Sequence, residues 1–324
     1  MKILVASKID PTALDHLRSR HDVVVAIGAE RSELEERMAD REALVFRSGV
    51  AIDEALLERA GNLRLIVRAG SGLDNLDVRS VEARGISIRR IPGPGARAVA
   101  ELTFAHFLGL ARQVLVADRL LREGHWAKND LAGWNLGGKT LGIVGLGSIG
   151  STVARLGAAW DMQVVGCVEH PSRDRSAAFE AAGIRLLDLD EVLSESDFVS
   201  IHVPLNADTR GMIGAKQLAL MRPGSFLVNI ARGGIVDEAA LLAALRDGER
   251  PAAAALDVHV SEGEGRISPL AGLPNVILTP HIGATTVDAQ REIGVEVVRI
   301  VDEAADLADG SATSAEAQTT AVGA

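Results

Sequence analysis

The sequence predicts an α/β fold: two doubly wound, parallel-sheet domains with a cleft between them. Short β-branched runs alternate with helical patterns along nearly the whole chain, as parallel strands do when helices cover both faces of their sheet. The alternation runs twice, separated by one long Ala/Leu-rich stretch. The 324 residues are enough for two domains that each bury a core.

In chain order, "KILVAS", "DVVVAI", "ALVFRS", "RLIVRAG" and "GISIRRI" are expected as strands, with "DPTALDHLRSR" and "DEALLERAG" as helices between them. A single long helix is expected from about Ala96 to Glu123. The second half supplies strands at "TLGIVG", "QVVGCV", "FVSIHV", "SFLVNI", "AAALDV" and "VILTP", and a final helix from Val287 to Ala308. This helix is long enough to pack back onto the first domain. The expected domains are therefore 1–96 completed by 287–310, for substrate, and 97–286, for a dinucleotide. The Ala/Thr/Ser-rich segment 311–324 has no periodicity and is expected to be a disordered tail.

Hydrophobic residues make up 47% and charged residues 24%, a globular balance. A net charge of −10 argues against a nucleic-acid partner, which needs a basic face. The single cysteine, Cys167, allows no internal disulfide and fits a reducing compartment. The N-terminal "MKILVAS" is followed by Lys8 and Asp10 and reads as a strand rather than a signal peptide. No apolar run approaches a membrane span. A cytoplasmic location is expected, with no membrane partner and no metal.

The stretch "TLGIVGLGSIG" carries Gly145, Gly147 and Gly150 with G-x-G-x-x-G spacing, between a strand and the helical "STVARLGAAW". The first glycine permits a sharp turn, the second admits a pyrophosphate, and the third lets helix and strand approach. The helix start offers free N–H groups to phosphates. This is the fingerprint of a Rossmann-type cofactor domain. About twenty residues on, Glu169 is placed to accept hydrogen bonds from an adenosine ribose.

Ligands of open parallel sheets lie beyond the carboxyl ends of the strands. Arg232 follows "FLVNI", Glu262 follows "AAALDV", and His281 follows "VILTP". An arginine to hold and polarise an anionic 2-oxo acid, a histidine to transfer the proton and a carboxylate to favour its charged form suit hydride transfer.

At these residues the chain resembles the D-isomer-specific 2-hydroxyacid dehydrogenases, and among them most closely the short phosphoglycerate dehydrogenases. The likeness runs to about Gly310 through "VRAGSGLDNLDV", "AELTFAHFLGLAR", "GKTLGIVGLGSIG", "VSIHVPLNADTRGMIG", "MRPGSFLVNIARGGIVDEAAL", "ALDVHVSEG" and "LTPHIGATT". It implies a flavodoxin-like substrate domain beside the Rossmann-type one, a homodimer exchanging an arm near "GHWAKNDLAGW", and NAD as cofactor, with NADP as the alternative. Arg232, Glu262 and His281 match the family's substrate arginine, partner carboxylate and acid/base. Ser148 and Ile149 match residues over the pyrophosphate, and Val203 lines the adenosine side. Ile230, Ala231 and Asp257 border the nicotinamide, with Gly283 also in the cofactor set. Ser71 and Gly72 match the backbone that grips the substrate carboxylate. Arg47 matches an arginine that approaches the substrate phosphate in phosphoglycerate enzymes.

Three positions depart from the family. Gly263 replaces a proline, and His259 replaces a phenylalanine whose place its ring is expected to take without a catalytic role. Val168 stands where the ribose-binding aspartate is expected, with Glu169 one residue later, and His170, Pro171, Ser172 and Arg173 offer a rival, partly cationic seat for a 2′-phosphate. The family's longer members carry a C-terminal regulatory domain with no counterpart in these residues, so feedback by serine is not expected. D-3-phosphoglycerate is the expected substrate. The alternatives are glyoxylate or hydroxypyruvate reduction and, from another class, a non-catalytic dinucleotide-sensing scaffold. Glu262 argues against a formate dehydrogenase.

Overall fold

Most strands are uninterrupted apolar runs, a pattern that suits only a sheet covered on both faces. In the computed structural model, which describes residues 1–47, 49–169, 171–308 and 310, they form two all-parallel sheets. The expected tail, 311–324, lies outside the described residues.

The first compact unit holds Met1–Pro94 and, from the C-terminal part, the described residues from Val287 to Ala308. Its elements are β1 (Lys2–Val5), α1 (Pro11–Arg20), β2 (Asp22–Val25), α2 (Arg31–Met38), β3 (Ala43–Phe46), α3 (Glu54–Glu58), β4 (Leu65–Arg68), α4 (Val78–Ala83) and β5 (Ser87–Arg90). The strand order β2-β1-β3-β4-β5 is the flavodoxin-like one. Its helices start where the sequence provides a cap. The Asp10, Asp53 and Asp77 side chains accept from the backbone of Ala13, Leu56 and Ser80 at 3.0–3.1 Å.

The second unit is Gly95–Thr286. It runs α5 (Gly95–Ala111), α6 (Val114–Arg122), β6 (Thr140–Val144), α7 (Ser148–Ala159), β7 (Gln163–Cys167), α8 (Arg173–Ala181), β8 (Arg185–Leu186), α9 (Leu189–Glu195), β9 (Phe198–Ile201), α10 (Ala215–Leu220), β10 (Phe226–Asn229), α11 (Glu238–Asp247), β11 (Ala253–Leu256) and β12 (Val276–Leu278). The final helix α12 (Val287–Ala308) belongs to the first unit. The sheet order β12-β11-β10-β9-β6-β7-β8 reverses direction between β6 and β9, the switch point where doubly wound sheets bind ligands. Phe226 and Val228 face one core with α5 and α7, while Leu227 faces the other with α9, α10 and α11. Alternate residues of one run are thus buried on opposite sides.

The single helix expected over 96–123 is two. Gln113 takes a left-handed φ of 51°, and α5 and α6 diverge by 59°. The cause is burial: α5 lies under the sheet, whereas no residue of α6 is buried. The two-residue β8 is an additional strand too short to stand out in the sequence. Among the described residues no single helix is long and apolar enough to cross a membrane.

Candidate active site

The glycine turn is built by close contacts that no side chain would permit. Gly145 has a φ of 97°, and a Cβ there would lie 2.8 Å from the His202 carbonyl oxygen and from Val203. A Cβ on Gly150 would lie 2.0 Å from the Gly145 carbonyl oxygen. Gly147 differs: it meets nothing within 4 Å and caps α7 without any side-chain hydrogen bond. The turn is therefore packed from below at two glycines and open at the third, where the first N–H groups of α7 emerge. Ser148 is exposed on that first turn and Ile149 is half-buried against the core. This open backbone fits a pyrophosphate. Beneath it His202 bonds Ser200 Oγ at 2.7 Å, and burial pushes its ring down to about 3, so it is neutral.

Strand β7 ends at Cys167, and the next two residues separate. Val168 packs on the core with Ile149 and Phe179, whereas Glu169 is exposed at the bend beyond. The acid at the end of this strand is therefore Glu169, and Val168 is a core residue. His170 lies outside the described residues. Arg175, one turn into α8, donates to the Leu146 carbonyl of the glycine turn at 3.3 Å and lies over the Phe179 ring.

Across the switch point, β10, β11 and β12 are adjacent and end at the same edge. Arg232 follows β10, half-buried, with Nη1 donating to the Ala231 carbonyl at 2.7 Å and its own carbonyl held by Asn229. Glu262 and His281 follow β11 and β12 and meet, with His281 Nδ1 2.8 Å from Glu262 Oε2. Burial raises Glu262, but the bond from His281 and the nearby imidazoles outweigh it and hold the carboxyl below its ordinary range. His281 carries a φ of 54°, a left-handed backbone that a non-glycine residue adopts at a cost of roughly 1–2 kcal/mol.

Asp257 stabilises that conformation. Fully buried, it accepts from the Thr279 hydroxyl at 2.6 Å, Ile282 N at 2.9 Å and Gly283 N at 2.7 Å, while its carbonyl accepts from His281 N at 2.8 Å. The described hydrogen bonds of this carboxylate thus go to the histidine loop. Because the Thr279 hydroxyl donates to Asp257, it accepts from His106 Nε2 at 3.3 Å, and burial keeps His106 down despite Asp257 nearby. Sequence reasoning missed His106, whose only signal is a histidine inside an otherwise apolar helix. Ile230, Ala231 and Gly283 are buried around this loop, and a Cβ on Gly283 would press on Asp257 at 3.1 Å.

The other expected residues belong to the first unit. Arg47 follows β3, and Ser71 and Gly72 follow the adjacent β4. Arg47 Nη1 donates to Gln290 Oε1 of α12 at 2.8 Å, and burial lowers its guanidinium. The buried Arg68, under Gly70 and over the Phe46 ring, supports the Ser71–Gly72 loop and was not anticipated.

A Rossmann-ordered sheet with an open glycine turn, beside a histidine–carboxylate pair, defines a dinucleotide-binding α/β protein. Residues 104–283 match the family model for the NAD binding domain of D-isomer specific 2-hydroxyacid dehydrogenases, and the chain belongs to that family. It is 41% identical over 296 residues to a D-3-phosphoglycerate dehydrogenase of Archaeoglobus fulgidus, covering 91% of this chain and 55% of the relative. The chain thus spans about half the length of the phosphoglycerate dehydrogenases it matches. A hydroxypyruvate reductase of Thermotoga maritima is 38% identical, covering 92% of this chain and 96% of the relative. A D-lactate dehydrogenase structure from Aquifex aeolicus, complexed with NAD and lactic acid, superposes with a TM-score of 0.84 at 28% identity, covering 96% of each chain.

Proposed function

We propose that the protein is an NAD-dependent oxidoreductase acting at C2 of a D-2-hydroxy acid, with D-3-phosphoglycerate as substrate. The observation that carries this reading is the 2.8 Å bond between His281 and Glu262 on a strained strand-end loop of a dinucleotide-binding sheet. When bound, NAD supplies the hydride acceptor for oxidation, and its reduced form the donor for reduction. Gly147, Ser148 and Ile149 would hold the pyrophosphate and Glu169 the adenosine ribose. Val203 would border the adenosine, and Ile230, Ala231, Asp257 and Gly283 the nicotinamide side. Neutral His281 takes the substrate hydroxyl proton at its Nε2, since Nδ1 is bonded to Glu262, and returns it in reduction. Glu262 fixes the ring and offsets the charge it gains. Arg232 holds the carboxylate and stabilises negative charge on the C2 oxygen. Ser71 and Gly72 bind the carboxylate through backbone N–H groups, and Arg47 binds the phosphate. The single cysteine, Cys167, allows no internal disulfide and supports a cytoplasmic setting.

Hydroxypyruvate or glyoxylate reduction is the second reading. It is favoured by the bond that already engages Arg47 with Gln290. Assay of reduced cofactor against a panel of 2-oxo acids, with 3-phosphoglycerate in the forward direction, separates the two. Arg47→Ala is expected to raise KM for 3-phosphoglycerate at least tenfold and to leave glyoxylate reduction almost untouched. Equal effects on both substrates would remove the phosphate role, and no turnover on any acid would remove the enzyme reading.

A further inference from the structure

We propose that His259 is a positioning residue for the His281–Glu262 pair, and that it acts through the hydrogen bond from its ring. The family's usual phenylalanine at this place cannot make such a bond. Three contacts of this one residue reach the segments that carry all three candidate catalytic groups. Its backbone N–H donates to Glu262 Oε1 at 3.1 Å, leaving Oε2 to His281. Its ring Nε2 lies 3.0 Å from the Thr279 carbonyl oxygen, and the backbone N–H of His281 reaches that same oxygen at 3.1 Å. Its own carbonyl packs so tightly on Gly233 that a Cβ there would lie 1.9 Å away, beside Arg232.

The protonation state at Nε2 follows from the partner. A carbonyl oxygen only accepts, so Nε2 carries the hydrogen, while Nδ1 is buried without a hydrogen-bond partner. A ring retained only for its volume would not need a donor aimed at the carbonyl two residues before His281. Here the donor ties the loop bearing Glu262 to the chain bearing His281, and the backbone bond to Glu262 then sets the carboxylate angle. Positional errors of about 1 Å at such a pair cost on the order of a hundredfold in rate.

The test compares His259→Phe, which keeps the volume, with His259→Gln, whose side-chain amide can still donate to Thr279. The direct readout is the downfield imidazole N–H resonance of the His281–Glu262 bond in the protein without substrate, assigned by its loss in Glu262→Gln. It does not depend on the oxidoreductase reading, on which the kinetic readout rests. Expected for His259→Phe are loss or exchange broadening of that resonance and a kcat lowered about ten- to a hundredfold with KM within about twofold. His259→Gln is expected to recover most of both. The proposal is overturned if His259→Phe keeps the resonance and kcat. It is equally overturned if both variants fall together with the thermal midpoint, which would make the ring a space-filling one. A protein that turns over no 2-oxo acid, yet loses the resonance in His259→Phe and keeps it in His259→Gln, would retain the positioning role and lose the proposed function.

Discussion

The Nδ1 atom of His281 lies 2.8 Å from Oε2 of Glu262, and the two residues reach each other from the ends of neighbouring strands. The contact leaves Nε2 as the ring atom available to a substrate, and it depends on a left-handed backbone at His281 that Asp257 holds through its carbonyl.

Removing the imidazole tests the first half of this relationship. Asparagine tolerates left-handed backbone better than most residues, so His281→Asn is the least disruptive substitution at a φ of 54°. It is expected to lower kcat by roughly 10²–10⁴-fold, the usual contribution of general acid–base catalysis, with the Kd for NAD nearly unchanged. Retention of more than about a tenth of kcat would exclude His281 as the acid/base.

Glu262→Gln tests the second half through pH. The carboxyl is held below its ordinary range by His281, so it is ionised at neutral pH and favours the imidazolium. Reduction requires the protonated ring. Taking away the negative charge therefore moves the upper limb of the reductive pH–rate profile to lower pH. A limb that stays where it was would strip Glu262 of this role.

The glycine turn separates fold from binding. Gly150→Ala places a methyl 2.0 Å from the Gly145 oxygen, so the turn must open, with an expected loss of about 1–3 kcal/mol in stability. Gly147→Ala meets nothing within 4 Å and is expected to keep its unfolding midpoint while binding NAD more weakly. Titration of both variants with NAD, alongside thermal unfolding, checks this. Unaltered affinity in Gly147→Ala would mean that no pyrophosphate approaches there.

Runs such as "FLVN" and "AAAL" announce buried parallel strands because they have no polar face, and Arg232, Glu262 and His281 stand out because each follows one of them. The break at Gln113 was hidden because "ARQVLVADR" continues a helical pattern, and only the absence of packing for α6 separates the two helices. The Asp257–Thr279–His106 network was hidden for another reason. It joins residues up to 173 positions apart, and no local spacing encodes such contacts. At the end of β7 the expectation rested on Glu169 rather than Val168, and the side chains alternate accordingly: Cys167 packs on one core, Val168 on the other, and Glu169 is exposed.

The homodimer expected from the family resemblance can be tested at what α6 leaves uncovered. Val114, Leu115 and Leu121 are 50%, 56% and 59% exposed, and Trp126 just beyond is 80% exposed. Apolar surface of this kind on neighbouring residues marks an interaction site. Sedimentation at micromolar concentration is expected to give twice the chain mass, and Leu121→Ser with Trp126→Ser to shift the protein toward monomer. A wild-type protein that sediments as a monomer would remove this assembly.

Cofactor choice turns on two charges at the open end of β7. A carboxylate there accepts the ribose hydroxyls of NAD and repels the 2′-phosphate of NADP. Glu169 is exposed at the bend, one residue after the Val168 that stands where the family's aspartate is expected, and is the residue proposed for this role. Arg175 is engaged with the Leu146 carbonyl of the glycine turn and with the Phe179 ring. It braces the turn rather than offering a phosphate seat, which leaves Arg173 at the start of α8 as the competitor. NAD is therefore expected to have the higher kcat/KM. Glu169→Ala should erase most of the preference, and Arg173→Ala should weaken NADP alone. Arg175→Ala should weaken both cofactors equally, because it loosens the turn that serves both. Val168→Asp should destabilise the fold without sharpening selectivity, since it drives a carboxylate onto the core beside Ile149 and Phe179. A higher kcat/KM for NADP in the wild-type protein would reverse the assignment, and an NADP-selective loss in Arg175→Ala would move the phosphate seat to that residue.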